Sequence, residues 1–380
     1  MSALVLNEEQ QMLKDAAKRF MYESAPVSQL RALRDSEDAT GFSRELWQGM
    51  VEMGFVGTLI PEALGGSQFG YLGMGQVSEQ AGRNLSASPL LSTAVGGVAA
   101  LLLAGSNDQQ HALLPKVAAG ELLLSLAVDE TPRHNPSQVS TRLESKGDGF
   151  VLNGRKQFVI DGHVADKLIV SARSSGADSE RDGISLLLVD RTAAGVKVER
   201  VSMADSRNAA LVTFTDVAVA ASDLLGEAGK GFDALELTLD VVNGQLAAEL
   251  LGLSLEAFER TVAYLQERKQ FGVTLSSFQG LQHRCAHLFS ELELVKSVVL
   301  KALMALDEGD EDASMLVSLA KAKASEVAEL ATNEAVQMHG GMGMTDEFDI
   351  GLFMKRARCV QALFGDFRYH ANRFALLRGY

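Results

Sequence analysis

GDGFVLNGRKQFVIDG, residues 147–162, decides the architecture. Gly147-Asp148-Gly149 and Asp161-Gly162 are turn chemistry, and the apolar runs between them, Phe150–Leu152 and Gln157–Ile160, are too short for helices. Asn153-Gly154, between Val151-Leu152 and the next apolar run, is a hairpin signal, because both residues tolerate the positive φ of a two-residue turn. The texture extends over residues 121–225. Leu122–Val128, Lys167–Ala172, Ile184–Val189, Val196–Val201 and Leu211–Val217 read as strands, and Arg181-Asp182-Gly183 is another turn. Short strands with no helices between them imply a sandwich or barrel rather than a doubly wound sheet.

On either side the period changes to that of a helix. Glu8–Tyr22 places Met12, Leu13, Ala16, Ala17, Phe20 and Met21 on one expected face. Trp47–Phe55 repeats the pattern, and Gly57, Pro61, Gly65 and Gly66 break it. Leu90–Ala104 is apolar and small enough for a helix buried on most sides, and Leu113–Ala119 closes the block before Gly120. After Gly231 come Leu235–Arg268, His283–Glu308, Met315–His339 and a last helix beyond Gly365. The expected fold class is α+β multidomain. Its parts are an N-terminal helical domain (1–121), a middle β-sandwich or barrel domain (122–225) and a C-terminal four-helix bundle (226–380).

Composition narrows the function classes. Of 380 residues 47% are hydrophobic and 22% charged, which excludes a disordered or collagenous chain. A formal charge of −14 argues against nucleic acid as the main partner. The two cysteines, Cys285 and Cys359, are too far apart for a CxxC site and read as buried thiols. The start lacks a signal-peptide pattern, and no apolar run reaches the ~18 residues of a membrane span. A cytoplasmic protein without membrane insertion is expected. No HExxH pair or metal-binding cluster is evident, and no GxGxxG follows a strand.

Two segments carry chemistry. In Glu267-Arg268-Lys269-Gln270-Phe271-Gly272 the cations complement a helix C-terminus with Gly272 as the C′ residue, or Arg268 grips a pyrophosphate bidentately. In Gln337-Met338-His339-Gly340-Gly341-Met342-Gly343 one glycine would stop a helix; the others suggest backbone that something approaches closely.

In this order, with Gln279 in SSFQGLQH and Pro61-Glu62 before Gly65-Gly66, the motifs resemble the acyl-CoA dehydrogenase family over essentially the whole chain. ADKLIVSAR (165–173), RDGISLLLVD (181–190), HGGMGMT (339–345) and the Leu363–Asp366 segment look most like the small subunits of bacterial pimeloyl-CoA dehydrogenases. The resemblance implies FAD as cofactor and oxidation of an acyl-CoA thioester to the trans-2-enoyl-CoA. A carboxylate takes the α-proton while the β-hydrogen leaves as hydride.

It also implies an electron-transferring flavoprotein as electron acceptor, and a homotetramer or a heterotetramer with a homologous subunit. Arg268, Phe271, Gln337, Gly340 and Gly341 match positions that hold the FAD pyrophosphate and adenosine, usually across a subunit interface, with Leu275 and Gln279 in the same region. Val128 lies where the family lines flavin and substrate; Phe158 and Ile160 replace its usual Trp and Ser/Thr. Glu130-Thr131-Pro132-Arg133-His134 stands in place of the EP.AGSD loop that the resemblance leads one to expect near flavin and thioester. Asp240 matches a pantetheine contact or is an exposed helix acid, and Asn243 replaces a usual Arg.

The family's terminal glutamate falls at Phe364 or Gly365, so the nearest carboxylate, Asp366, is either the base, shielded from water, or the N-cap of the last helix. The missing glutamate keeps two alternatives open. One is a non-catalytic or half-site subunit of a heteromeric enzyme. The other is a same-fold flavin oxidase with Asp as base, resembling nitroalkane oxidase.

Overall fold

The computed structural model describes residues 4–380. Helices come first along the chain: α1 (Glu8–Ser24), α2 (Val27–Asp35), α3 (Arg44–Glu52), α4 (Gly70–Arg83), α5 (Val98–Ala104) and α6 (Asn107–Ala118). Strands follow: β1 (Leu124–Ala127), β2 (Arg142–Lys146), β3 (Gly149–Ile160), β4 (Lys167–Arg173), β5 (Ile184–Asp190), β6 (Val196–Ser202), β7 (Asn208–Ala220) and β8 (Leu224–Leu225). After α7 (Phe232–Glu267), the short strands β9 (Lys269–Gln270) and β10 (Val273–Thr274) precede α8 (Gln279–Glu308), α9 (Ala313–His339), α10 (Ile350–Ala362) and α11 (Phe367–Leu377). The chain packs as two compact units. One comprises Leu33–Gly70 and Ala87–Val242; the other holds the remaining described residues, Tyr71–Ser86 and Asn243–Tyr380 among them.

The first unit is built on an eight-stranded sheet in the order β6-β7-β3-β2-β4-β5-β8, with β1 pairing parallel to β4. Both β4 and β5 are almost wholly buried, which is why they read as continuous apolar runs instead of alternating ones. Leu143, Leu152, Val170, Leu187, Val212 and Phe214 are among the side chains that form its core.

The hairpin expected at Asn153-Gly154 is not there. β3 runs through it, and the turn is Gly147-Asp148, closed by the Lys146–Gly149 pair. At Gly154 the register with β7 shifts, and a Cβ there would lie 2.6 Å from the Thr141 Cα. The glycine therefore serves a bulge against another segment, not a turn. Leu90–Gly97 forms a π-helical stretch, not the α-helix expected, and continues into α5. A Cβ at Gly97 would meet the Leu124 Cβ at 2.5 Å, and the Thr93 hydroxyl donates to the Leu124 carbonyl at 3.0 Å.

In the second unit α1 starts with an Asn7–Gln10 capping box. Its buried seam is narrower than expected. Ala17 and Met21, four residues apart, are buried, whereas Met12 is 71% exposed.

The sequence reading passes over α4, whose glycines look like breakers. Instead they let helices touch. A Cβ at Gly82 would sit 2.2 Å from the Glu249 carbonyl oxygen, and one at Gly252 would sit 1.9 Å from that of Glu79. The Asp307 carboxylate caps the start of α4, accepting from the amides of Tyr71 (2.6 Å) and Leu72 (2.9 Å). The buried Arg356 of α10, another helix the reading passes over, donates to Glu249 and to the carbonyls of Leu85 and Ser86, each at 3.3 Å.

Candidate active site

In the second unit α7 ends at Glu267, and the chain turns straight into the β9–β10 hairpin, with Gln270 facing Val273. Its turn residues are Phe271 (φ +55°) and Gly272 (φ +83°), the double positive φ of a type I′ turn. Gly272 is therefore a hairpin residue, not the C′ residue of α7. A bulky residue at positive φ is strained, and Phe271 is also 89% exposed, meeting Phe278 edge-on. The Leu275 amide donates to the Arg268 carbonyl (2.9 Å), and Gln279 opens α8. Arg268, Phe271, Leu275 and Gln279 thus share one corner of this unit, Arg268 and Gln279 exposed.

The glycine cluster reaches the same end. The Tyr264 ring, one turn before Arg268, stacks on His339 with centroids 4.3 Å apart, and Phe348 meets both rings edge-on. His339 Nδ1 lies 2.8 Å from the Ala335 carbonyl and so carries the ring proton; burial pushes the imidazole below its ordinary pKa. From α8, Cys285 meets Met338 (3.8 Å) and Arg284 donates to Glu334 (2.6 Å). Gln337, Gly340 and Gly341 are exposed, and a Cβ on either glycine would touch nothing within 4 Å. Gly340 needs its φ of +61°, but none of the described residues crowds Gly341. A cavity of about 350 Å³ opens beside the stacked rings, lined by Arg260, Tyr264, Glu267, His339 and Phe348 among others.

In the β unit Val128 and Ile160 are buried, and Phe158, at φ +53° beside the second register shift of β3, is 43% exposed. The Ser125 hydroxyl donates to the Ile160 carbonyl at 2.5 Å. The segment after β1 is fastened by a residue the sequence reading missed. The ammonium of the fully buried Lys156 donates to the Val128 carbonyl (2.9 Å), Glu130 (2.7 Å) and Ser171 Oγ (3.0 Å). Glu130 also accepts from the amides of Ser140 (2.7 Å) and Thr141 (3.0 Å). Burial works to raise the Glu130 pKa, but Lys156 and these bonds outweigh it and hold the carboxyl below the usual range. Asp129 accepts from the amide of Gln157 through its carbonyl (2.8 Å), and its carboxylate meets His134 Nδ1 at 2.8 Å.

Asp240, in the β unit, is buried and not the exposed acid of the alternative reading. Asn243, in the helical unit, is buried too, and its Nδ2 donates to the Phe364 carbonyl at 3.3 Å.

The turn between α10 and α11 holds the remaining candidate. Asp366 caps α11, accepting from the Tyr369 amide at 2.9 Å, and is exposed, not shielded as a base was expected to be. It borders a cavity of about 510 Å³ also lined by Ser325, Glu329, Asn333, Gln361 and Arg368. Before it, Phe364 and Gly365 have φ of +49° and +109°, and a Cβ on Gly365 would lie 2.4 Å from the Tyr369 ring. Beneath the turn Lys321, fully buried and also missed, donates to the carbonyls of Leu363 and Gly365 (both 3.0 Å) and Gln361 (3.3 Å). Burial brings its pKa from 10.5 down to about 7, with Asp366 and Glu249 opposing. The available signal was a lysine on the apolar face of α9, between Val317 and Ala324.

Family models for the acyl-CoA dehydrogenase N-terminal, middle and C-terminal domains match residues 7–121, 129–217 and 229–375. The chain is 31% identical over 365 residues to the probable acyl-CoA dehydrogenase YngJ of Bacillus subtilis, covering 94% of each. It is 28% identical over 357 residues to the caffeyl-CoA reductase-Etf complex subunit CarC of Acetobacterium woodii, covering 91% of this chain and 92% of that one. The solved butyryl-CoA dehydrogenase of Megasphaera elsdenii superposes with a TM-score of 0.90 at 26% identity, over 98% of this chain and 99% of that one. Among the described residues no helix is long and apolar enough to cross a membrane.

Proposed function

The chain belongs to the acyl-CoA dehydrogenase family, flavin-dependent oxidoreductases of CH–CH groups, and from that premise we propose that it binds FAD and converts an acyl-CoA thioester to the trans-2-enoyl-CoA. The observation that carries this reading is the meeting of the Arg268 corner and the Gly340-Gly341 end through the Tyr264–His339 stack. The donor set suits a dinucleotide. An exposed guanidinium matches a pyrophosphate, Gln337 offers an amide, and Gly341, uncrowded by its own chain, lets a ligand come close to the backbone. Phe271, Leu275 and Gln279 would cover the adenosine side of a neighbouring chain's cofactor, and Val128, Phe158 and Ile160 the ring side of the chain's own. FAD, when bound, supplies the hydride acceptor.

The chain's own tasks are to orient the thioester carbonyl and to take the α-proton. Asp366 is the proposed base. One carboxylate oxygen caps α11, and the exposed setting requires that bound substrate or a neighbouring chain supply the dry cover. Asp240 and Asn243 are buried, so the substrate contact proposed for them is indirect. The resemblance puts Phe271, exposed here, across a subunit interface, which suits a homotetramer or a heterotetramer with a homologous subunit. The CarC relative, named as part of an Etf complex, supports an electron-transferring flavoprotein as acceptor.

The purified protein should be yellow and should reduce a dye with some members of an acyl-CoA panel. Arg268→Ala should weaken FAD binding by about 1.5–3 kcal/mol, read by titration of the apoprotein. Asp366→Asn should abolish exchange of the substrate α-proton with solvent while FAD content holds; an active Asp366→Asn variant removes the assignment. A preparation that takes up no FAD overturns the whole reading.

A further inference from the structure

The Leu363–Asp366 turn has an unusual support. Each of its first three carbonyls accepts from a buried side chain of another element. Leu363 and Gly365 are held by Lys321 of α9, and Phe364 by Asn243 of α7 (3.3 Å) and by His370 Nε2 of α11 (3.1 Å). Lys321 also takes the Gln361 carbonyl in the last turn of α10. Two successive residues with positive φ would not hold this shape unaided, since Phe364 pays a steric cost there.

We propose that Lys321, seconded by Asn243 and His370, is a positioning residue for the dehydrogenation: it fixes the Phe364–Gly365 backbone and so sets where the Asp366 carboxylate stands. The inference rests on the reading of Asp366 as the base. The chemistry is a matter of counting hydrogens. An ammonium has three N–H groups and serves three carbonyls; a neutral amine has two and must release one. The clamp therefore loosens when Lys321 gives up its proton, an event that burial brings near neutral pH. The charged groups around it pull in both directions. Asp366 and Glu249 favour the ammonium. Arg356 of α10 engages Glu249 (3.3 Å), Arg373 of α11 donates to Ser318 one turn before Lys321 (3.0 Å), and His370 faces the same turn.

The test uses the full-length flavoprotein with Lys321→Met, close in length but without donors, and Lys321→Arg as the conservative variant. Lys321→Met should lower kcat about tenfold to a hundredfold with FAD content and KM little changed, the cost of a displaced catalytic group. The wild type should show an inflection in kcat near pH 7 that Lys321→Met loses, and Lys321→Arg should recover part of the rate. Amide hydrogen exchange gives a readout independent of turnover. Protection of the Gly365–His370 amides should fall in Lys321→Met, while α8 stays protected.

If Lys321→Met does not fold, Asn243→Ala removes one donor to Phe364 and should show the same local loss. Unchanged protection and an unchanged pH profile overturn the proposal. Lost protection with intact turnover also overturns the positioning role. If Asp366→Asn is active as well, the base assignment has failed and not the clamp's hold on the turn.

Discussion

Among the described residues two lysines, Lys156 and Lys321, are fully buried, and they are satisfied in opposite ways. Lys156, in the β unit, has a carboxylate partner at 2.7 Å, with Val128 O and Ser171 Oγ completing its three bonds. Lys321, in the helical unit, spends all three on backbone carbonyls. A full counter-charge in contact offsets desolvation far better than peptide dipoles do, although both ammoniums are pulled below their ordinary pKa by burial. The paired lysine is a fixture of the fold. The unpaired-by-charge lysine can change state in the range where an enzyme works.

The largest test removes the cation from the pair. Lys156→Met leaves the half-buried Glu130 carboxylate with the amides of Ser140 and Thr141 but no cation, and should cost about 3 kcal/mol by urea denaturation. A loss below about 1 kcal/mol would mean that the amides of Ser140 and Thr141 suffice, and that the two lysines are equivalent.

The second uses pH. Unfolded Lys321 keeps its proton to about pH 10.4, whereas the folded one holds it to about 7. Between these values the unfolded chain binds more protons, so stability rises with pH by up to about 1.4 kcal/mol per unit. Lys321→Met should flatten that part of the curve from its start near pH 7. A slope that survives the substitution assigns the titration elsewhere.

Smaller effects sharpen the contrast. Ser171→Ala takes one neutral acceptor from Lys156 while the carboxylate remains, and should cost about 1 kcal/mol. Asp366→Asn keeps an N-cap oxygen and should change stability by less than about 0.5 kcal/mol, whatever it does to turnover.

The layout of helices and strands was legible because burial writes its period into the chain. β4 and β5 show it as continuous apolar runs. The exposed set Arg268, Gln279 and Gly340-Gly341 carries no such period and was picked out by its order along the chain. What could not be read has a common cause: the deciding partner lies far along the chain. Asn153-Gly154 looks like a turn until Thr141 is seen against it, and the α4 glycines look like breakers until Glu249 is seen against Gly82. Lysines in a sequence read as surface. Lys156 needed Glu130, 26 residues away, and Lys321 needed bare carbonyls, which no residue type announces.

The turn residue Gly365 also limits where this lineage can go. The resemblance puts the family's glutamate at Phe364 or Gly365. At Gly365 a first carbon already collides with Tyr369 (2.4 Å) and His370 (2.8 Å), on a backbone of φ +109°. A single Gly365→Glu change should therefore give a misfolded or inert protein, and Tyr369 would have to shrink first, with no benefit of its own. Of the two positions, Gly365 is thus closed to a glutamate by a single substitution, because its neighbours already fill the space a side chain would need.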